Sequence, residues 1–307
     1  MKLLGLLSRG ASSLDREPDV KGIYGRAAKR LALDEETVRR RVERLESAGI
    51  IRGWQLLVNP NALGLKKFGI LMTVSPRLRV EEAVRKVRLV QGVTYISRSV
   101  GETLRIGILC ENQEALRNKV ELISELTGTK ELTTYAVRHP RTEVEPTPTD
   151  WRIIKALRPD PFVHYTVLAE KLGLSSRTVR RRLIRLSQGS VIFFRLDLDF
   201  SLLDGCSCVC LFVFYTASGL KDTIDRRIFT QFEGYVLRAG WGSASHGYFE
   251  FIIPSVHVAQ EIADWTNAQG GVKEAKLSFR DSRLYFHEVI DQIIEDRING
   301  TSPLVLA

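Results

Sequence analysis

The sequence predicts an α+β protein of two similar halves, each a winged helix-turn-helix followed by a ferredoxin-like βαββαβ domain. Three observations carry that prediction. An eighteen-residue stretch repeats: residues 28–45 read AKRLALDEETVRRRVERL and residues 169–186 read AEKLGLSSRTVRRRLIRL, with ten positions identical. The same order of apolar periodicities, β-α-β-β-α-β, follows each copy. Between the halves lies a connector, residues 139–149, whose Pro140, Pro146 and Pro148 keep it extended.

The first helix-turn-helix is expected over residues 1–64. Met1 to Ser8 reads as a short amphipathic helix, because its apolar run is too brief for a leader and Arg9, Asp15, Arg16 and Glu17 follow. A short helix over 26–31, a turn at Ala32, Leu33 and Asp34, and a longer helix over 35–47 come next, with Asp34 as N-cap. Residues 51–56 then make a wing or connecting ribbon. The first α/β domain, residues 65–138, has strands at 68–74, 93–99, 104–110 and 130–137 and helices at 80–90 and 113–126.

The second half repeats this plan. Asp150 offers an N-cap for a helix over 151–157, opening a second winged helix-turn-helix over 150–205 in which Ser175 caps the longer helix. The second α/β domain, 206–282, is expected to have strands at 209–215, 235–240, 248–253 and 273–279 and helices near 221–232 and 256–267. Residues 283–307 are left as a C-terminal helix and tail. In its helix, 284–298, Phe286, Val289, Ile290, Ile293 and Ile294 form a stripe suited to docking or dimerisation.

A short helix, a tight turn and a longer basic helix is the arrangement that places its second helix in the DNA major groove. At about 100° per residue, Val38, Val42 and Leu45 face the core, and Arg40 points away, beside Glu36, Glu43 and Arg44 and with Arg39 on the flank. Arg41 falls near the apolar edge and is expected to brace the fold instead of touching DNA. In the second copy Val179, Leu183 and Leu186 face inward, while Arg177, Arg181, Arg185 and Ile184 point out and Arg180 flanks them. The copies differ in charge. Glu36–Arg40 and Arg39–Glu43 are spaced as ion pairs that stabilise a helix by about 0.2–0.5 kcal/mol each, whereas residues 176–186 hold five arginines and no acid. Uncompensated like charges point to a polyanionic partner. Ser176 at the helix start, with Arg52 and Arg195 on the ribbons, completes the set of candidate DNA contacts.

The residues from Ala28 to Gly53, with the pattern A-x-x-L-x-L…T-V-R-R-R-V-x-R-L-E-x-A-G-I-I-R-G, and N-P-x-A-L-G from Asn59 to Gly64 resemble the Lrp/AsnC, or feast/famine, transcription regulators. The second copy keeps T-V-R-R-R-L-x-R-L but has Gln188, Gly189 and Ser190 where the first has Ser47, Ala48 and Gly49, so the first copy is the closer match. The resemblance implies sequence-specific binding of double-stranded DNA through residues 35–44 and 176–185. It also implies oligomers held by the α/β domains, with two tandem chains making a pseudo-tetramer, and a small-molecule effector bound between those domains. In the family the effector lies near a Gly-x-x-Asp loop between the second and third strands. The matching positions here are Gly101, Glu102 and Thr103 in one copy and Trp241 and Ser243 in the other. Both loops depart from that pattern, which leaves the effector's identity open.

The bulk properties fit this reading. The chain has 307 residues, a net charge of +9 and 44% hydrophobic residues, enough for ordinary cores. The excess of base sits in the first two-thirds, and residues 206–307 carry 9 Lys/Arg against 12 Asp/Glu. No charge-free apolar stretch is long enough to span a membrane, so a cytoplasmic location without membrane attachment is expected. Cys206, Cys208 and Cys210 alternate along one strand face as small apolar side chains, without the paired spacing of a metal or redox site. No nucleotide loop, nucleophile–base pair, cofactor site or metal site is legible, which argues against an enzyme. The competing enzyme reading is a siroheme decarboxylase, since those enzymes resemble Lrp-type proteins in tandem. Its propionate-holding and proton-relaying candidates are Arg98, Arg105, Arg238, His246 and His257. They are scattered along the chain, and that reading leaves the arginine-rich helices without a purpose.

Overall fold

The computed structural model describes residues 2–12, 20–75, 78–239, 243 and 246–301. Its elements run α1 (Lys2–Ser12), α2 (Val20–Leu31), α3 (Glu35–Ser47), β1 (Ile51–Val58), β2 (Lys66–Thr73), α4 (Val80–Arg88), β3 (Val93–Ser99) and β4 (Thr103–Cys110). There follow α5 (Gln113–Thr127), β5 (Leu132–Val137), α6 (Pro148–Leu157), α7 (Tyr165–Leu172), α8 (Ser176–Gln188) and β6 (Ile192–Leu198). The last are β7 (Ser207–Tyr215), α9 (Lys221–Gln231), β8 (Val236–Ala239), β9 (His246–Ile253), α10 (Val256–Asn267), β10 (Val272–Tyr285) and α11 (Glu288–Asn299). No helix among the described residues is long and apolar enough to cross a membrane.

The chain regroups these elements into two compact units, each drawing on both halves of the sequence. One unit gathers both helix-turn-helix copies, the connector and α11. The other gathers both βαββαβ sets.

In the helix-turn-helix unit, β1 and β6 do not fold back as separate wings. They pair antiparallel with each other, Trp54 opposite Leu196 and Leu56 opposite Phe194. A bulge at the start of β1 is taken by Gly53 at φ +131°, a conformation that L side chains avoid. Phe162 packs edge-on against Trp54 and stacks on Phe194, with ring centroids 5.3 and 6.0 Å away. Asn59 is fully buried and joins the copies: its amide donates to Ser190 O at 2.7 Å and Pro140 O at 3.0 Å, and its backbone N–H donates to Val191 O. The connector therefore packs along this unit. The helix after it begins at Pro148, not at residue 151. Thr147 is the N-cap, and Asp150, expected as the cap, is the N3 partner of a capping box. The C-terminal apolar stripe is spent inside the chain. Ile293 and Ile294 are buried, and α11 packs on α6 with ion pairs Arg158–Asp291 (2.6 Å) and Lys155–Glu295. It is not a free dimer surface.

The second unit contains both expected βαββαβ sets, β2-α4-β3-β4-α5-β5 and β7-α9-β8-β9-α10-β10. They merge into one eight-stranded sheet of order β5-β2-β4-β3-β10-β7-β9-β8. The seam is made by β10, which runs six residues past its expected end at 279. It pairs with β7 as far as Phe279–Val209, then with β3 from Arg280–Ser99 to Tyr285–Tyr95. Leu284 and Tyr285 are thus strand, and the last helix starts only at Glu288.

Alternation along the strands sorts the residues by face. Ile70, Met72, Ile96, Leu104, Ile106 and Ile108 form one helix-covered core with Ala83, Val87, Leu116 and Ile123. Val209, Leu211, Val213, Phe249, Phe251 and Ile253 form the other with Ile224, Ile228 and Ile262. The opposite face, called inner here, carries Tyr95, Arg105, Tyr135, Cys210, Phe212, Tyr248 and Glu250. Two glycines make room for its aromatic rings. Gly69 and Gly107 are cross-strand neighbours, and a Cβ there would lie 2.1 Å from Tyr135 and 1.9 Å from Tyr95. Gly107→Ala is expected to destabilise the protein by about 1–3 kcal/mol through overpacking, read as a lower midpoint of urea unfolding at unchanged slope.

Candidate nucleic-acid interface

Both longer helices form as their caps dictate. Asp34 accepts from Thr37 N at 2.7 Å, and Ser175 accepts from Thr178 N at 3.1 Å. The preceding helix of the first copy runs from Val20, six residues earlier than its periodicity suggested. Val38, Val42, Val179, Leu183 and Leu186 are buried as expected, Leu45 is half-buried, and Arg41 is exposed instead of bracing the core.

The outer faces differ more than composition shows. On α3, Arg40 pairs with Glu36 at 3.2 Å. Arg39 pairs with Glu35 at 3.1 Å and reaches Glu36 at 3.9 Å, not Glu43, and its guanidinium lies 5.6 Å from the Tyr24 ring centre. Arg44 is exposed near the helix end. On α8, the expected row of unopposed arginines is shorter than the sequence implied. Arg182 and Arg185 both turn to Asp150, Arg182 at 2.9 Å, so Arg185 is braced against α6. Arg177, Arg180 and Arg181 remain exposed, with no acid beside them among the described residues, and Ser176 begins the helix half-buried. The ribbon arginines are engaged too: Arg52 pairs with Asp199, and Arg195 donates to Gln55. A basic row on one exposed helix face can meet phosphates and base edges. The α3 face is largely neutralised by its own acids.

This geometry matches what comparison with known proteins finds. Residues 147–187, spanning α6, α7 and nearly all of α8, match the model of the AsnC-type helix-turn-helix domain. The chain carries an AsnC-type helix-turn-helix. The match falls on the second copy, although the first looked closer to the family pattern. The chain is 30% identical over 102 residues to the HTH-type transcriptional regulator Ptr1 of Methanocaldococcus jannaschii, covering 33% of this chain and 63% of that protein. It is 34% identical over 83 residues to the HTH-type transcriptional regulator LrpA of Pyrococcus horikoshii, covering 24% of this chain and 59% of that one. The chain thus spans about three-fifths of the length of these curated relatives. Over its whole length, the fold is similar to the siroheme decarboxylase NirDL, with TM-score 0.55, 16% identity and coverage of 97% and 98%.

Gly101 (φ +89°) and Glu102 make an exposed turn between β3 and β4, where Glu102 O accepts from Val74 N, and Thr103 pairs with Thr73. Ser243 is buried and hydrogen-bonds His246 Nδ1 at 2.7 Å, while Trp241 lies outside the described residues.

The inner face of the sheet gathers residues that looked scattered. Arg105 and Arg238 converge on Glu250, which sequence reasoning passed over, as do Arg280 and Arg283. Distances to the carboxylate are 3.7, 2.8, 2.7 and 2.9 Å respectively. Burial by itself would raise the Glu250 carboxyl, but Arg280, Arg283 and Arg238 outweigh it and hold it well below the usual range. Cys210 is no simple apolar filler, since Arg280 Nη2 donates to its Sγ at 2.9 Å and to Tyr248 Oη at 2.7 Å. His246 stands near this cluster, 4.8 Å from the Phe214 ring, whereas Arg98 pairs with Glu81 and His257 is exposed. A clue was present in the sequence: Glu250 interrupts the apolar run Tyr248, Phe249, Phe251.

Asp150 tests the bracing of the AsnC-type helix. Burial alone would raise its carboxyl, yet the hydrogen bonds from Thr147 and Arg182 and the charge of Arg185 lower it on balance. A carboxylate depressed in the folded state adds stability that is complete above its unfolded value, about 3.9, and is lost as pH falls through the folded value. Asp150→Asn should therefore destabilise by about 1–3 kcal/mol at neutral pH and by less below pH 4, measured by urea unfolding across pH.

Proposed function

We propose that this chain is a sequence-specific, DNA-binding transcription regulator of Lrp/AsnC type. The observation that carries the reading is the exposed row Arg177, Arg180 and Arg181 on α8, in the segment that matches the AsnC-type domain. Ser176 and the Asp150-braced Arg185 frame this row, and Arg52 and Arg195 flank it as weaker phosphate contacts because each already holds a partner. The α3 set of Glu36, Arg39, Arg40 and Arg44 is the secondary reader, its arginines largely paired with acids. Because one chain supplies both strands of the ribbon, it presents two unequal readers, which favours an asymmetric operator over a palindrome. Oligomerisation through the α/β unit and sensing of a small molecule belong to the same reading.

The test is binding to DNA selected from random or genomic sequence. Replacing Arg177, Arg180 and Arg181 singly with alanine should weaken binding by about 1–3 kcal/mol where a base edge is read. It should reduce the slope of log affinity against log salt by about one where a phosphate is held. The same changes at Arg39 and Arg40 should cost less. Absence of binding by the wild type at about 50–100 mM salt would remove the proposal.

A second reading is favoured by the full-length likeness to NirDL together with the arginine-lined inner face: decarboxylation of a siroheme-type tetrapyrrole. Against it, the hollow bounded by Tyr135, Phe212, Phe214, His246 and Tyr248, which none of the four arginines lines, measures about 10 Å³, room for a single water. Titration with siroheme separates the two. The regulator reading expects no stable Soret band, and bound siroheme converted under reducing conditions would reverse the order of preference.

A further inference from the structure

Among the described side chains, the inner face of the eight-stranded sheet is out of charge balance: four guanidinium groups, on Arg105 of β4, Arg238 of β8 and Arg280 and Arg283 of β10, surround one carboxylate, Glu250. The side chains of Arg105, Arg280 and Arg283 are 9, 0 and 6% exposed, so water cannot screen them well. Arginine does not shed its proton in proteins, unlike a buried lysine. Three of the polar neighbours, Tyr135, Tyr248 and Cys208, add no negative charge. Burial holds the Tyr248 and Tyr135 phenols well above their ordinary values and pushes the Cys208 thiol up to about 12, so all three are neutral at physiological pH.

Three arginines crowd one oxygen of Glu250: Arg280 Nη2 at 2.7 Å, Arg283 Nη2 at 2.9 Å and Arg105 Nη2 at 3.7 Å, with the Tyr248 hydroxyl donating to it at 2.6 Å. Other donors on the same side chains are left over. Arg105 Nε, Arg283 Nε, and both Nε and Nη1 of Arg280 are buried without a hydrogen-bond partner. Native structures rarely leave such groups unmatched, and a buried charge in excess of its partners costs several kcal/mol. The rings of Tyr95 and Tyr248 beside Arg105, at 5.3 and 4.1 Å, ease this only partly.

The geometry points to a buried anion site at which Arg105, Arg280 and Arg283 bind a small anion through its carboxylate- or phosphate-type oxygens. Its position gives it a consequence. Arg280 and Arg283 sit where β10 leaves β7 for β3, and Arg105 belongs to the first βαββαβ set while Glu250 belongs to the second. A bound anion would neutralise the excess charge across the seam and tie the two sets together. This inference is independent of DNA binding.

The test uses the full chain exchanged into low-salt HEPES, with inorganic phosphate and citrate as probes and sodium chloride at equal ionic strength as reference. Thermal unfolding should shift upward saturably at low millimolar phosphate or citrate, by on the order of 5 °C at a hundredfold excess over half-saturation. Phosphate alone acting would assign a phosphate-type ligand, citrate alone a carboxylate, and both the shared oxygen chemistry. Arg283→Gln, and separately Arg105→Gln, should abolish the shift and lose little or no stability in anion-poor buffer, because each removes surplus charge. Calorimetric titration of the wild type gives the same readout should neither variant fold. Equal shifts from chloride, an unsaturated rise, a shift unchanged in a folded variant, or no calorimetric binding of either probe would overturn the inference.

Discussion

The continuity of β10 is the constraint on which the α/β unit depends. One uninterrupted backbone satisfies β7 on one side and then β3, so two four-stranded sheets become one sheet of eight. An edge strand left open presents unpaired N–H and C=O groups and invites pairing with another chain. Here β3 of the first set finds its partner within the same chain. The same solution appears among the helix-turn-helix copies, where β1 and β6 each complete the other. In both units an element from one copy meets an element from the other, so each unit is assembled across the sequence rather than along it.

The two copies carry different charge on this shared scaffold. The outer face of α3 neutralises itself with Glu35 and Glu36, whereas α8 keeps Arg177, Arg180 and Arg181 open and leans Arg182 and Arg185 on Asp150. Asp150 serves two purposes at once: it closes the capping box of α6 and fixes the azimuth of α8 through two arginines. Rigidity is thus supplied from behind the helix, while Arg177, Arg180 and Arg181 stay exposed.

The sheet shows the complementary case, in which cross-strand placement concentrates charge instead of cancelling it. Glycines at 69 and 107 let Tyr135 and Tyr95 lie flat across their neighbours, and those rings wall a polar interior. Into it project arginines from three strands, β4, β8 and β10, around a carboxylate from a fourth, β9. An interior of this kind differs from the two apolar cores on the helix-covered side, which follow ordinary alternation and need nothing beyond burial.

The sequence by itself determined whatever depends on neighbours a few residues apart. The repeat at residues 28–45 and 169–186, the caps at Asp34 and Ser175, the buried stripe of Val179, Leu183 and Leu186 and both β-α-β-β-α-β orders are local patterns, and they stand in the structure. Only the tertiary structure decided which distant groups meet. Arg185 faces Asp150 across 35 positions, β1 meets β6 across about 140, and Arg105 meets Glu250 and Arg283 although strand periodicity assigns each only a face. The physical reason is that helix and strand periods fix the direction of a side chain relative to its own element. The charge it will face is fixed by strand order and register, which the pairing of β10 with both β7 and β3 supplies.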